Sequence, residues 1–139
     1  MSNIPKIIQS TNDEANYVRN KLIEFNSKNV PTGIYEEINL CLKNEKEEII
    51  AGLNSAICWN WMEIDILWVD EDHRGQGLGK RLLVEAEQIA RAKNCTFIKL
   101  NTFSFQAPEF YKKYGYEVMV IIENAPLGSK HYYYKKDLN

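Results

Sequence analysis

The sequence predicts one α/β domain spanning residues 1–139, with a mixed, mostly antiparallel central sheet of about six or seven strands flanked by three or four helices. Three observations carry that prediction. Strand-like runs follow one another at short intervals through residues 35–69, separated by turn-forming residues. A glycine-rich turn then opens directly into a strongly amphipathic segment. Beyond it, strand-like and helix-like runs alternate, an order that fits neither a helical bundle nor a barrel.

The elements follow in chain order. Residues 13–27 carry Tyr17, Val18, Leu22 and Phe25 at helical spacing, with Asn12 or Asp13 placed to cap the start. The run Asn29-Val30-Pro31-Thr32-Gly33 breaks the chain. Strands are expected at Tyr35–Lys43, Ile49–Cys58 and Trp61–Val69, with a charged hairpin turn at Asn44–Glu48 and a second turn near Asn60. Gly79–Lys93 is a helix with Leu82, Leu83, Ala86, Ile89 and Ala90 along one face. Phe97–Thr102 reads as a strand, and Pro108–Tyr114 as a short helix that Gly115 ends. Tyr116–Glu123 and His131–Lys136 close the sheet.

Composition excludes several classes of function. Apolar residues make up 45% of the chain and charged residues 26%, ordinary globular proportions. No stretch is long and apolar enough for a membrane span, so no membrane role is expected. The run Met1–Lys6 has no hydrophobic signal core, which makes the cytoplasm the expected location. A formal net charge of −2 argues against a nucleic-acid partner held by its phosphates. The three cysteines, Cys41, Cys58 and Cys95, are too far apart to form a close metal-ligating pair. They are expected to be reduced, mostly buried small hydrophobes, and no metal is expected.

The chemistry concentrates in one segment, Ile64 to Lys80, where a strand runs into a glycine-rich turn and the turn opens a helix. Gly75, Gly77 and Gly79 let the backbone approach an anion and aim successive N–H groups at it. The helix start adds unpaired donors and the positive end of its dipole. Arg74 and Lys80 add full charges, so the segment reads as a diphosphate cradle. It is not a P-loop: Arg74 stands where that motif needs its first glycine, and Arg81 where it needs Ser or Thr. Nor is it a dinucleotide fingerprint, because the spacing is Gly-x-Gly-x-Gly rather than Gly-x-Gly-x-x-Gly.

The spelling that fits is Arg-x-x-Gly-x-Gly, through Arg74, Gly77 and Gly79. It resembles the central motif of the GNAT N-acetyltransferase superfamily, Gln/Arg-x-x-Gly-x-Gly/Ala between a strand and a long helix. Downstream, Gln106-Ala107-Pro108-Glu109-Phe110-Tyr111-Lys112-Lys113-Tyr114-Gly115-Tyr116 resembles the family's later segment, Asn-x-x-Ala-x-x-Phe-Tyr-x-x-x-Gly-Phe. Motifs cover residues 60–136, and the order of elements covers residues 1–59. Gln106 stands near a common asparagine, and Tyr116 replaces the usual phenylalanine.

The resemblance implies a GNAT-like fold and an acetyl-CoA-dependent N-acetyltransferase, with acetyl-CoA as cosubstrate and direct transfer to a primary amine in a ternary complex. It implies that the loop amides of Arg74, Gly75, Gln76, Gly77, Leu78, Gly79 and Lys80 hold the pyrophosphate, with Gln106 and Tyr111 also at the cofactor. The strand before the loop is expected to splay from its neighbour, freeing backbone groups of Leu67, Trp68 and Val69 for the pantetheine arm. An amide of Leu67 or Trp68 would polarise the thioester oxygen. Tyr111 matches the family position beside the sulfur, and a phenol near its ordinary pKa of about 10 suits a proton donor to the thiolate.

A base must also accept the ammonium proton. Glu63 and Asp65 alternate with Met62, Ile64 and Ile66, so both carboxylates face one side of their strand, where they can attract a cationic amine or simply meet solvent. His73 is expected on the phosphate side, His131 in a closing strand, and Trp59, Trp61 and Trp68 in the core or groove wall. The resemblance implies an amine acceptor, a small molecule or a peptide, with the first helix and the loops near Gly33 and Ala125–Lys130 as the expected recognition segments. The alternative is a non-catalytic acyl-CoA-binding or regulatory module of the same fold. An exposed closing strand also leaves room for a homodimer.

Overall fold

The computed structural model describes residues 3–30 and 34–138. The chain divides into two units, Met1–Gly33 and Ile34–Asn139. Pro31, Thr32 and Gly33, the expected chain break and a candidate acceptor loop, lie outside the described residues.

The first unit contains one helix, α1, Asn12–Ser27. Its cap is Thr11, not Asn12 or Asp13. The Thr11 hydroxyl accepts from the Glu14 N–H at 3.2 Å, and the Glu14 carboxylate accepts from the Thr11 N–H at 2.8 Å. This reciprocal box satisfies two donors where a lone Asn or Asp cap would satisfy one. The next residue has already turned helical.

The second unit is a six-stranded sheet in the order β1-β2-β3-β4-β6-β5. β1 (Tyr35–Lys43), β2 (Ile49–Cys58) and β3 (Trp61–Val69) form an antiparallel meander with the bounds the sequence predicts. Helix α2 (Leu78–Ala92) carries the chain over to β4 (Phe97–Phe103), which pairs with β3 in parallel. A short helix α3 (Glu109–Lys112) follows a single 3₁₀ turn at Ser104–Gln106. β5 (Glu117–Glu123) then forms the sheet edge, and β6 (Lys130–Asp137) inserts antiparallel between β4 and β5. The edge strand leaves Met119, Val120, Ile121 and Ile122 exposed.

Alternation within the strands and the 3.6-residue period of α2 build the core. Leu53, Ile57, Met62, Ile64, Ile98 and Leu100 meet Leu82, Leu83, Ala86 and Ala90 of α2, all of them buried. Each large aliphatic chain buried this way contributes about 1.5–3 kcal/mol. One charge enters the core. Glu87 of α2 accepts from Tyr116 Oη and from Lys136 Nζ, both at 2.9 Å, with Arg91 at 3.9 Å. These partners make a buried carboxylate tolerable and tie α2 to β6 and the start of β5. Burial first, and Glu87 second, push the Tyr116 phenol far above its ordinary pKa.

The cysteine expectation needs correcting. Only Cys95 is buried, while Cys58 is half-buried and Cys41 exposed. Cys41 falls on the outward set of β1, where every second residue meets solvent.

Candidate active site

The site begins where the sheet comes apart. β3 and β4 pair only from Trp61–Phe97 to Ile64–Leu100, after which their ladders separate. β3 continues against β2 alone, with a bulge: Ile64 pairs Ser55, Ile66 pairs Asn54, and Asp65 between them has no partner. A bulge adds twist and turns its strand away from the neighbour. The gap is a cleft of about 700 Å³, walled on one side by Ile64–Val69 and on the other by Leu100, Asn101 and Thr102. In the alternating pattern of an antiparallel pair, Asp70 N–H bonds Ile50 and Trp68 therefore faces Gly52 of β2, so of the three expected residues Leu67 and Val69, not Trp68, turn their backbone groups to the cleft.

At one end the cleft is closed by the loop and the first turn of α2. Gly75 and Gly77 have φ of +81° and +77°, the left-handed conformation that side-chain-bearing residues avoid. A Cβ on either would meet nothing within 4 Å, so the backbone there is open to a ligand. Gly79 does a different job. A Cβ there would lie 3.3 Å from Cζ of Phe110 and 3.7 Å from Val69 Cγ2, so this glycine seats α2 against α3. Arg74 Nε donates to the Val69 carbonyl at 3.2 Å, fastening the loop to the end of β3. Lys80 Nζ lies 6.0 Å from the Tyr114 ring centroid. Neither cation forms an ion pair among the described residues, leaving this end of the cleft positive. Gln76 is exposed and does not line the cleft.

His73 lines the cleft beside Arg74, on the expected phosphate side. Its Nδ1 lies 2.9 Å from Asp70 Oδ2, and that hydrogen bond holds the Asp70 carboxyl below its ordinary pKa.

Three tyrosines cluster under the middle of the cleft, and their hydroxyls differ. Tyr134 Oη donates to the Pro108 carbonyl and Tyr116 Oη to Glu87. Tyr111 Oη has no hydrogen-bond partner among the described residues, and Tyr111 alone of the three lines the cleft. Tyr111 is 8% exposed. Burial, with a smaller contribution from Tyr134, pushes its phenol up to about 12. That is higher than the ordinary value of about 10 the sequence suggests, because a phenolate there would be poorly solvated.

The two strand carboxylates part company. Glu63 is held by Lys99 Nζ at 2.9 Å and does not line the cleft. Asp65, freed by the bulge, lines it, is exposed, and makes no ion pair among the described residues. Gln106 also lines the cleft, but its side-chain oxygen accepts from the Phe103 N–H at 3.1 Å and from Thr102 Oγ1 at 3.3 Å. It shapes the 3₁₀ turn from within. Asn101, Thr102, Phe105, Phe110 and Tyr114 complete the lining. Motif reading passed over these five as site residues; only Phe110 and Tyr114 lay inside a segment it quoted.

Comparisons with known proteins identify the family. The acetyltransferase (GNAT) family profile matches residues 10–116. The chain belongs to the GNAT acetyltransferase family. It is 39% identical over 95 residues to the blasticidin-S acetyltransferase of Streptomyces morookaense, covering 68% of this chain and 70% of that one. A crystal structure of an acetyltransferase from Bacillus cereus superposes with a TM-score of 0.92 at 39% identity, over 96% of this chain and 98% of the other. An acetyltransferase of Bacillus anthracis solved with acetyl coenzyme A shares the fold, with a TM-score of 0.64 at 24% identity over 80% of this chain and 65% of its own. The mixed sheet with three helices is thus a GNAT fold.

Proposed function

We propose that this protein transfers an acetyl group from acetyl-CoA to a primary amine of a small molecule, directly and without an acyl-enzyme step. The observation that carries the reading is the separation of β3 from β4 after Ile64 and Leu100. It places a strand with free backbone groups, an unengaged carboxylate and an unengaged phenol in one cleft, below a glycine-rich anion cradle.

The fit to acetyl-CoA rests on this chain's own groups. The open, left-handed Gly75 and Gly77, the start of α2, Arg74 and Lys80 suit a pyrophosphate. The cleft-facing backbone groups of Leu67 and the Val69 N–H suit an amide-bearing arm that adds itself as a strand. Acetyl-CoA supplies the activated acyl group as a thioester. Transfer requires that the amine lose a proton, that the carbonyl oxygen be polarised and that the departing sulfur be stabilised. The N–H of Leu67, which faces away from β2, serves the oxygen. Asp65 attracts the ammonium and takes its proton, directly or through water. Tyr111 keeps its proton at Oη throughout the working pH range and donates a hydrogen bond to the sulfur. With a pKa of about 12 it is a weak acid towards a thiol of about 8.5, so stabilising the thiolate is its main task.

The substrate of the Streptomyces relative makes blasticidin S the first acceptor to try, beside an aminoglycoside, a peptide N-terminus and a lysine side chain. Thiol release from acetyl-CoA is expected with at least one small amine. In Tyr111→Phe, kcat for that amine should fall by roughly 10²-fold while KM for acetyl-CoA stays near its parent value, the loss typical of one preorganised donor. Stabilisation by acetyl-CoA without thiol release across the whole panel would instead make the chain an acyl-CoA-binding module.

A further inference from the structure

The ladder between β3 and β4 ends at Ile64 and Leu100. Asp65 and Asn101 are the first residues past that last rung, so they face each other at the root of the cleft, which both line. They also share a face of the sheet. Along β4, Ile98 and Leu100 are buried in the core while Lys99 and Asn101 are exposed, so Asn101 points away from the side that α2 covers. On β3, Met62 and Ile64 are buried, whereas Asp65 and Ile66 are both exposed, the doubled step that the bulge introduces. Leu67 and Val69, the residues given to the thioester arm, lie further along β3 towards the loop.

Asn101 is held by one arm of its carboxamide. Its Oδ1 lies 3.1 Å from His131 Nε2, and since that oxygen can only accept, the histidine donates. The imidazole is itself fixed, stacked on Phe103 with centroids 4.4 Å apart and lying 4.5 Å from the Tyr133 ring. β6 flanks β4 on the side away from β3, so Oδ1 is drawn away from the cleft. The other arm, Nδ2, keeps its two donors with no partner among the described residues. Asparagine is poorly suited to the middle of a strand, and nothing in the fold calls for its carboxamide to be fixed.

The root of the cleft thus presents an acceptor on one lip and a donor on the other. Asp65 makes no ion pair among the described residues, because Glu63 is the strand carboxylate that Lys99 takes. Adjacent paired strands are about 4.8 Å apart, so the two groups suit a ligand whose cation and oxygen are about three or four bonds apart. A carboxylate on that ligand would meet the like charge of Asp65, which favours a neutral oxygen.

We propose that the acceptor is an amine bearing a neutral carbonyl oxygen close to its nitrogen, as in an amino-acid amide, with its ammonium on Asp65 and its carbonyl on Asn101 Nδ2. This deepens the acetyl-transfer reading and rests on it. Asn101 is then a specificity residue, and His131 a positioning residue that aims it.

The test compares β-alaninamide with butylamine, a chain of similar length without the carbonyl, in wild type, Asn101→Ala, Asn101→Asp and His131→Phe. The two amines differ in basicity, so the reading is how their kcat/KM ratio changes from one protein to the next. Asn101→Ala should cut the preference for β-alaninamide by about tenfold, the scale of one hydrogen bond, with KM for acetyl-CoA near its wild-type value. Asn101→Asp keeps the shape but replaces the donors by a charge, and should lower the ratio at least as far. His131→Phe keeps a ring against Phe103 and removes the hydrogen bond, so the ratio should fall by about threefold, again without raising KM for acetyl-CoA. An unchanged ratio in Asn101→Ala, however far the two rates fall together, overturns the proposal and leaves acetyl transfer standing. A raised KM for acetyl-CoA at constant ratio does the same, by placing Asn101 on the cofactor. An unchanged ratio in His131→Phe overturns the positioning role. If neither amine is acetylated, calorimetric titration of both into protein saturated with coenzyme A decides. Carbonyl-selective binding that Asn101→Ala abolishes would uphold the site and sink the transfer reading, and binding without that selectivity, or none, overturns the proposal.

Discussion

The lining of the cleft is made of two different materials. One part is backbone: left-handed Gly75 and Gly77, the first turn of α2, and the groups of Leu67 and Val69 that face away from β2. The other part is side chains: Asp65 from β3, Asn101 from β4 and Phe105 from the following turn, with His131 of β6 bonded to Asn101. A backbone site must be spelled with glycines at set spacings, because few other residues adopt those conformations. A side-chain site can be assembled from whatever strands the sheet brings together. The first kind leaves a fingerprint within seven consecutive residues, Arg74 to Lys80. The second is scattered over residues 65–131 and leaves none.

Substitutions can break or sharpen this contrast. The largest effect is expected at Gly77. Valine there is strained at φ of +77°, and relieving the strain redirects the amides that face the ligand. Acetyl-CoA affinity should fall on the order of 100-fold, measured by titration calorimetry, with the thermal unfolding of the free protein changed far less. Unchanged affinity would mean that the loop backbone is not the anion site.

Gly79→Val tests whether the neighbouring glycine belongs to the same device. Its Cβ would press on Phe110, not enter the cradle, so the loss should appear as about 2 kcal/mol of stability, the scale of core overpacking. A double-mutant cycle with Phe110→Leu, followed by denaturant unfolding, should show strong coupling between the two sites. Additive effects would return Gly79 to the phosphate loop.

The smallest effect falls on the side-chain part. Asp65→Asn should lower kcat/KM for the amine by about tenfold, the scale of one charged hydrogen bond, whereas Glu63→Gln should leave it within about twofold. Equal losses at both positions would restore the pair of carboxylates that simple strand alternation suggests.

Much of the architecture was legible because its punctuation is local. The bounds of β1, β2 and β3 follow from the Asn44–Glu48 turn and the tight Trp59-Asn60 connection, and α2 was placed to within one residue at each end. The region after β4 was less legible. Pro108–Tyr114 reads as one helix, yet α3 is only Glu109–Lys112, because Pro108 is its N-cap and the chain beyond Lys112 tightens, the Tyr114 and Gly115 N–H groups bonding the carbonyls of Tyr111 and Lys112 three residues back. Alternation along β3 implied two equivalent carboxylates, but a bulge is a property of the pairing with β2 and is invisible in β3 alone. His131 is expected in a closing strand and lies in β6, but its neighbours Asn101 and Phe103 are not legible, for a related reason. Alternation puts Asn101 and Phe103 on one face of β4, and His131 and Tyr133 on one face of β6. Only the β4–β6 register, Asn101 with Tyr133 and Phe103 with His131, brings them together. The Tyr111 phenol shows the same limit: its position follows from the motif, its raised pKa from neighbours far away in sequence.

The short seam between β3 and β4 has a mechanical consequence. Four ladder pairs, Trp61–Phe97 to Ile64–Leu100, join the β1-β2-β3 block to the β4-β6-β5 block, with the Asn60–Thr96 hydrogen bonds and the Glu63–Lys99 ion pair beside them. The sheet behaves less like a single plate than like two plates sharing a short weld. Widening the gap beyond Leu100 breaks no ladder hydrogen bond, so this opening belongs to the low-energy end of the molecule's local fluctuations. A guest that spans the gap restores the missing rungs and makes the two plates one cooperative unit, so rigidity arrives with the ligand.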